Sequence, residues 1–436
     1  MFPVRYVHAA DLHLDAAFPG LGREASGAEI SARLRQATFT ALERLISLCE
    51  KEKPDFLVLA GDIYNTEDRS IKAQLALRDG CERLAAAGVR VFIAHGNHDP
   101  LSSRLQSLRW PDNTVIFDEN VTSHIVTREG APVAVVHGTS HATAQESRNL
   151  AQSFHRLELP GEDHNTRRCF QLGVLHCTLD DLQADRYAPC SLRDLEASGL
   201  DAWALGHVHQ RRTCQERPFV AYSGNTQGLH IHEEGPRGCL LVAAAPDTAA
   251  ATLDACPFDC TAQFHPLGPV EWRVVDADID GTRQLDAVEE RILTAMQTAL
   301  SQCGASCQSL ICRVRLTGRS PLDSLLRTGS AMEDLMERVR AVPHGHPLVW
   351  LKDIRVETAP EVDMRELLSR RDLLGEALRL AESLRQEDGV DFIRTALKPL
   401  YANPRAARAL AAPDDAALRS LIDEAQRLCV DAMEAR

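Results

Sequence analysis

The chain lacks the features that would place it in or across a membrane. No apolar run approaches the length of a membrane span, and the N-terminal residues do not show the basic, apolar and small-residue pattern of a secretory signal. We therefore predict a cytoplasmic protein with no membrane partner. At 436 residues, 44% of them hydrophobic, the chain is long enough for two or three domains, each with its own core.

An even, regularly spaced set of cysteines is also lacking. The thirteen cysteines are scattered, and in a cytoplasmic protein they are expected to be reduced thiols rather than a disulfide framework. The only tight spacings are Cys256/Cys260 and Cys303/Cys307/Cys312. A zinc site built from them would need ligands at less usual spacings, so ordinary free cysteines are favoured.

Basic residues are fewer than acidic residues. Lysine and arginine number 48 against 62 acidic residues, which gives a net charge of -14. This balance argues against a protein that holds nucleic acid through its bulk surface, because that mode of binding needs a basic face. A nuclease remains possible, since bound cations offset clustered carboxylates and a partner chain can supply a basic channel.

The first hundred residues alternate between short apolar runs and helical patterns. Apolar runs at 4–10, 55–60 and 89–94 predict buried strands, and the periodic stretches 26–53 and 70–87 predict helices between them. This order implies right-handed crossovers and a sheet with a parallel portion. The ends of these strands should therefore meet along one edge of the sheet.

Polar clusters follow the apolar runs. In chain order they are Asp11-Leu12-His13, Gly61-Asp62, Gly96-Asn97-His98-Asp99, His176 and Gly206-His207-Val208-His209. An amide, imidazoles and carboxylates at one place offer metal ligands, a proton donor and orienting groups, which phosphate-ester hydrolysis over metal ions needs. The third cluster alone reads equally well as a polar turn, but five such clusters at strand ends are hard to obtain as unrelated turns.

In this order the clusters resemble those of the calcineurin-like metallophosphoesterases, over roughly the first 245 residues. The resemblance implies an α/β fold, a four-layer β-sandwich flanked by helices, and two metal ions that share Asp62. One ion would be held by Asp11, His13, Asp62 and His209. The other would be held by Asp62, Asn97, His176 and His207.

The same resemblance leaves His98 free of metal. It would face the leaving oxygen as general acid or transition-state stabiliser, with Asp99 to orient it. The mixed oxygen and nitrogen ligands suit Mn²⁺, Fe²⁺ or Zn²⁺ better than Ca²⁺. We expect two divalent metal ions, with Mn²⁺ as the first choice.

Further segments indicate one branch within this family. Residues 187–192, 201–210 and 224–228, together with 8–14, resemble the YhaO branch of the SbcD-type DNA repair nucleases. Leu229 departs from that branch, where a basic residue is expected, and this removes a candidate phosphate contact.

A pair of arginines, Arg211 and Arg212, follows His209 after one intervening residue. These side chains could grip a DNA phosphate near the metals, and an ordinary solvated arginine pair is an equal alternative.

The pattern of predicted strands and helices changes in the C-terminal third of the chain. We predict a nuclease domain over 1–260, a small α+β capping domain over 266–360, and a helical partner-binding region over 361–436. By resemblance the last region docks onto an SbcC-like coiled-coil ATPase. Folding back of these helices on the capping domain is the alternative.

Together these patterns predict a Mn²⁺-dependent DNA exo/endonuclease subunit, with DNA and the ATPase as partners and a homodimer as the assembly. The first alternative is a phosphodiesterase for small substrates, which would cleave a model diester and leave duplex DNA intact. The second is a non-catalytic subunit that positions DNA or regulates the ATPase, which would bind its partner tightly without turnover.

Overall fold

A computed structural model describes residues 2–16, 18, 28–65, 70–103, 108–159, 169–180, 187–246, 257–342, 345–385, 387–402 and 413–434. Among these residues, no helix is both long and apolar enough to cross a membrane. Cys256, which shares one of the tight cysteine spacings, lies outside the described residues.

Strands and helices alternate over residues 4–94, and strands predominate over residues 114–278. The strands are β1 (Val4–Ala9), β2 (Phe56–Ala60), β3 (Arg90–Ala94), β4 (Thr114–Ile116), β5 (Thr122–Arg128), β6 (Ala131–Gly138), β7 (Phe170–His176), β8 (Ala202–Gly206), β9 (Arg212–Glu216), β10 (Phe219–Tyr222), β11 (Gly238–Pro246), β12 (Phe258–Pro266), β13 (Val270–Asp278), β14 (Ser309–Thr317) and β15 (Leu348–Val356). The helices are α1 (Ala28–Glu52), α2 (Ile71–Ala86), α3 (Leu192–Ala197), α4 (Leu285–Ser301), α5 (Asp323–Leu326), α6 (Gly329–Ala341), α7 (Met364–Ser369), α8 (Leu373–Leu384), α9 (Glu387–Tyr401) and α10 (Asp415–Glu434).

Two six-stranded sheets carry the N-terminal part of the chain. The first has the order β12-β11-β1-β2-β3-β4, and β1 to β4 run parallel while β11 and β12 pair antiparallel at one side. The second has the order β5-β6-β7-β8-β10-β9, with a parallel centre between two antiparallel edge strands. The predicted parallel portion is confirmed, because β1, β2 and β3 pair in the expected order.

An aromatic layer lies between the two sheets. Tyr6 stacks on Phe56 with ring centroids 5.4 Å apart and lies 6.0 Å from Phe170, which comes from the other sheet. Phe92 and Phe117 extend the same buried cluster. Strands buried on both faces read as continuous apolar runs, which is why the sequence reveals them.

Helices cover the outer faces of both sheets. Leu45 of α1 and Leu77 of α2 belong to a buried cluster with Val7, Leu57 and Val91 of the first sheet. On the second sheet, α3 packs close to Trp203, whose indole Nε1 donates to the carbonyl of Leu195 over 3.3 Å. The order helix, sheet, sheet, helix is the four-layer arrangement predicted from the sequence.

The stretch 257–269 includes a strand that the sequence patterns did not predict. It contains β12, which pairs with β11 from Gly238↔Pro266 to Pro246↔Phe258. Most side chains of β12 are partly or fully exposed, because the strand lies at the edge of its sheet. The apolar run that marks a buried strand is therefore missing from this segment.

A third sheet of three strands has the order β13-β14-β15. Its strands alternate with α4 and α6, as the α+β pattern predicted. By contact density the chain forms two compact units, one of residues 1–275, 293–314 and 336–354 and the other of residues 276–292, 315–335 and 355–436. The boundaries 1–260, 266–360 and 361–436 stay a prediction.

The C-terminal helices form a small core of their own within the second unit. Leu374 and Leu378 of α8 pack with Leu367 of α7 and Val430 of α10, and these four side chains are buried. Other apolar residues of the same helices, including Leu380, are exposed. The apolar residues of these helices therefore divide between core and surface.

The third sheet carries two arginine–aspartate pairs of the same geometry and different exposure. Arg313 and Asp353 form two hydrogen bonds of 2.6 and 2.9 Å, and their side chains are 14% and 26% exposed. Arg315 and Asp276 form bonds of 2.7 and 2.9 Å, with 42% and 55% exposed. Burial acts to raise the pKa of Asp353, but hydrogen bonds from Arg313 and Lys352 outweigh it and lower the pKa to about 2.

We expect Asp353→Asn to lower the free energy of unfolding at pH 7 by about 1 kcal/mol, and Asp276→Asn to change it by less, because the exposed pair is screened by water. The folded-state pKa of Asp353 is below its unfolded value, so its contribution is complete at neutral pH and lost as the pH falls through about 4 towards 2. Urea unfolding of both variants and of the wild type at a series of pH values measures this. Equal losses for the two variants would contradict the role of burial.

Candidate metal centre

The predicted ligands lie where strands of the two sheets end, and several have strained backbones. Asp11, His13, Asp62 and His207 have φ angles of 51°, 42°, 50° and 98°. Side chains other than glycine seldom adopt this left-handed region, and such strain persists only where the surrounding structure enforces it. Here the enforcing structure is the buried pair of sheets behind the loops, and the strain turns these side chains towards one another.

Glycines beside the ligands allow the close approach of the loops. A Cβ atom on Gly206 would lie 1.7 Å from the carbonyl oxygen of Ala60, and one on Gly96 would lie 2.3 Å from Oδ1 of Asp62. A larger residue at Gly206 would push apart the strand ends that carry Asp62 and His207, and one at Gly96 would displace the side chain of Asp62. The sequence pattern of glycine next to a polar residue thus has a steric cause.

The structure brings all seven predicted ligands together in two adjoining groups. The ligand atoms of Asp11, His13 and His209 lie within 4.8 Å of one another, and so do those of Asp62, His176 and His207. Asn97 adjoins the second group, with its Oδ1 3.0 Å from Nε2 of His176 and 3.2 Å from Nδ1 of His207.

Asp62 lies between the two groups. Its Oδ2 is 3.4 Å from Nε2 of His176 and 3.9 Å from Nε2 of His13. The carboxylate is 1% exposed, and burial acts to raise its pKa, but the histidines around it lower the pKa below its usual range. Asp62 therefore stays charged and can face both groups at once.

The chemistry of the donors fits metal ions. Nδ1 of His13 lies 2.8 Å from Oδ1 of Asn65, and Nδ1 of His209 lies 2.5 Å from Oε1 of Glu233. If both rings donate a proton to these acceptors, the lone pairs on both Nε2 atoms face each other at 3.1 Å. Burial lowers the pKa of His13 to about 4, so this ring is neutral near pH 7 and can serve as a ligand. The cluster fits two divalent metal ions, which hold such donors together.

Supporting residues in the site were missed by the sequence reasoning. Glu233 is 7% exposed and also accepts from Nδ2 of Asn225 and from the backbone of Leu229, over 2.9 and 2.6 Å. His141 is fully buried, and its Nε2 lies 2.7 Å from the carbonyl oxygen of His176. Glu233 follows no strand-end pattern, and only the folded loops bring it to the ligands. His141 follows β6 in a turn of glycine, threonine and serine, a pattern that is more typical of a polar loop than of a metal site.

His98 is the exposed member of the site. Its backbone N–H donates to Oδ1 of Asp62 over 2.8 Å, and its ring lies 5.1 Å from that of His13. Asp99 is 2% exposed and accepts from the backbone of Gly96 and Ile63 over 2.7 and 2.9 Å. Asp99 thus shapes the loop that carries His98, and its action on the His98 ring stays a prediction.

Asp99 also engages a second histidine of the same loop. Its Oδ2 lies 2.9 Å from Nδ1 of His95, a residue to which the sequence reasoning gave no role. Burial acts to lower the pKa of His95, but the charge of Asp99 outweighs it and raises the pKa.

The two arginines predicted to contact DNA are both exposed. The Arg211 guanidinium lies over the ring of Phe264, 3.8 Å from its centroid, and Arg212 begins β9. The stacking holds Arg211 against the edge strand β12. Contact of either residue with DNA stays a prediction.

Comparison with known proteins shows which families the chain matches. Residues 4–211 match the family described as calcineurin-like phosphoesterase, and residues 272–359 match the family described as metallophosphoesterase YhaO, middle domain. The first match contains all seven clustered residues. The first match covers β1 to β8 of the paired sheets, and the second covers most of the third sheet.

The metallophosphoesterase YhaO of Bacillus subtilis is 30% identical to this chain over 366 residues, covering 83% of this chain and 84% of the Bacillus protein. The chain therefore belongs to the YhaO family of calcineurin-like metallophosphoesterases. The recognition made from the sequence is confirmed, and the chain is a metal-dependent phosphoesterase.

More distant relatives are named as DNA repair proteins. The DNA double-strand break repair protein Mre11 of Methanosarcina acetivorans is 23% identical, covering 82% of this chain and 52% of its own length. That of Aeropyrum pernix is 31% identical, covering 54% of this chain and 57% of its own length. The chain thus spans about half the length of these Mre11 proteins.

We expect Glu233→Gln to weaken the binding of divalent metal about 10- to 100-fold, because it removes the charged acceptor that orients His209. Titration calorimetry with Mn²⁺ on protein stripped by a chelator measures this. The matched control is Glu234→Gln, an adjacent exposed glutamate that accepts from the backbone of Val274. Equal affinity in the two variants would show that Glu233 does not orient the ligand.

Proposed function

We propose that this protein is a Mn²⁺-preferring DNA exo/endonuclease subunit that hydrolyses phosphodiester bonds at DNA ends. The observation that carries the proposal is the pair of ligand groups around Asp62 with the exposed His98 beside them. Two divalent ions in such a site supply an activated water and positive charge for the phosphoryl oxygens. Carboxylate, amide and imidazole ligands together suit Mn²⁺, Fe²⁺ or Zn²⁺.

The side chain of His98 has the chemistry of a proton donor to the leaving oxygen. It is exposed, so a substrate can reach it, and its backbone is tied to Asp62. A substrate phosphate placed against the two groups would therefore lie next to the His98 ring. In this proposal Asp99 acts by holding the loop, through its bonds to Gly96 and Ile63.

DNA is the proposed substrate for two reasons. Relatives named for DNA double-strand break repair match 82% and 54% of this chain. Arg211 and Arg212 lie two and three residues after His209, where cationic side chains could hold the DNA backbone. Against DNA stand the net charge of -14 and the uncharged Leu229, and these favour the alternative of a small phosphodiester substrate.

The C-terminal helices are the proposed docking surface for an SbcC-like coiled-coil ATPase. Leu380, Phe392, Leu421 and Leu428 are 58%, 66%, 45% and 62% exposed on α8, α9 and α10. A groove of about 310 Å³ on these helices is lined mainly by apolar side chains. An amphipathic helix of a partner could bury this surface by inserting apolar residues at helical spacing. Homodimer formation and a cytoplasmic location complete the proposal.

We expect purified protein with Mn²⁺ to release nucleotides from an end-labelled DNA duplex, and a chelator to abolish the release. His98→Ala should reduce the rate about 10²- to 10⁴-fold, the usual size of a lost general acid. His155→Ala, which changes an exposed histidine outside the ligand groups, serves as the matched control and should leave the rate unchanged.

Two results would redirect the proposal. Cleavage of a model diester without cleavage of DNA, with and without the ATPase, would establish the small-substrate alternative. An undiminished rate in His98→Ala would remove His98 from the chemistry while leaving the metal centre intact.

We expect the paired change Leu380→Asp and Leu428→Asp to abolish co-purification with the SbcC-like ATPase, because it places charge on the exposed apolar face. Leu157→Asp alters a leucine that is 37% exposed in the first unit and should leave co-purification intact. Retention of the ATPase by the doubly charged variant would assign the docking to another surface.

A further inference from the structure

A second cluster of metal-binding side chains lies outside the proposed dinuclear centre. The ligand atoms of Glu271, Cys303 and Cys307 all lie within 4.8 Å of one another. Glu271 is the second residue of β13, and the cysteines follow α4 in the turn that leads to β14. Spacing alone did not reveal this cluster, because its carboxylate comes from a strand 32 residues before Cys303.

The three side chains are held in place by their surroundings. Glu271 is 1% exposed and Cys307 is 5% exposed, while Cys303 is partly exposed. The backbone N–H of Gly304 donates to Oε1 of Glu271 over 3.3 Å, which ties the turn to the carboxylate. The guanidinium of Arg44 donates to the carbonyl of Ser306 over 2.9 Å, so the turn is also fixed to α1. A cation bound here would contact donor atoms that the fold already holds close together.

The charges of the cluster match those of a divalent cation. Two thiolates and one carboxylate carry three negative charges, and Arg273, whose guanidinium lies 3.3 Å from Oε2 of Glu271, offsets one of them. A divalent ion would offset the other two.

From this arrangement we infer that Glu271, Cys303 and Cys307 form a zinc site, separate from the dinuclear centre. Two sulfur donors and one oxygen donor select Zn²⁺ over Mn²⁺ or Mg²⁺, because thiolates are soft ligands. The exposed side of Cys303 leaves room for a water as the fourth ligand. Cys312 shares the spacing noted in the sequence, but it is buried within β14 and is not one of the three clustered donors.

Each thiol lies within hydrogen-bond distance of a backbone carbonyl oxygen. Sγ of Cys303 donates to the carbonyl of Ala299 over 3.5 Å, and Sγ of Cys307 to that of Ser309 over 3.3 Å. Zinc binding would release these protons, so affinity should fall as the pH is lowered. The bound ion would join the start of β13 to the turn before β14.

Cobalt titration of the full chain, stripped of metal and kept reduced, tests the inference. Sulfur ligands give Co²⁺ an intense near-ultraviolet charge-transfer band, whereas the dinuclear centre has only nitrogen and oxygen donors. We expect a band whose final intensity corresponds to one sulfur-bound Co²⁺ per chain, whatever the dinuclear centre takes up, and we expect Zn²⁺ to displace it. Cys303→Ser and Cys307→Ser should abolish it, and Glu271→Gln should weaken cobalt binding about tenfold or more.

The matched control is Cys429→Ser, which removes another partly exposed cysteine, and its band should equal that of the wild type. Cys303→Ser keeps the test decisive if the change at the more buried Cys307 prevents folding. Absence of the band in reduced wild type, or an undiminished band in the Cys303 and Cys307 variants, would overturn the inference. The readout does not depend on DNA cleavage, so it stands whether or not the proposed nuclease activity is found.

Discussion

The crowding of donor atoms around Asp62 is the constraint on which the first unit depends. Histidines from three different loops converge on a carboxylate that is almost fully buried, and two of the rings bring their Nε2 atoms to 3.1 Å. Such an arrangement gains nothing for stability in itself, because desolvated polar groups cost free energy unless they are paired. Its cost is offset by the apolar layer between the sheets, which fixes the strand ends rigidly enough to hold the donors in place.

The orientation of the histidine rings in this site depends on hydrogen-bond acceptors behind them as much as on the other ligands. Asn65 and Glu233 each face the Nδ1 atom of a clustered histidine, and the carbonyl oxygen of Ala60 lies 3.0 Å from Nδ1 of His176. Each of these contacts sets which ring nitrogen points into the cluster. The chemistry that the site can perform is therefore determined also by residues that are not ligands themselves.

Much of the fold and of the candidate site was predictable because both follow from local pattern. Buried strands such as β1 and β7 read as apolar runs, and the clustered residues come directly after them. Edge strand β12 was missed because its exposed side chains do not form such a run. Glu233 and Glu271 could not be predicted either, because each reaches its partners across a loop or between strands, and a single sequence carries no trace of these contacts.

The two compact units interleave along the chain. Residues 276–292 and 315–335 belong to the second unit, while 293–314 and 336–354 belong to the first. Any truncation between residues 276 and 354 therefore removes part of both units, and neither corresponds to one continuous gene fragment. The packing of the first unit needs residues 293–314 and 336–354. During synthesis on the ribosome, the first unit therefore cannot finish folding when residue 275 emerges.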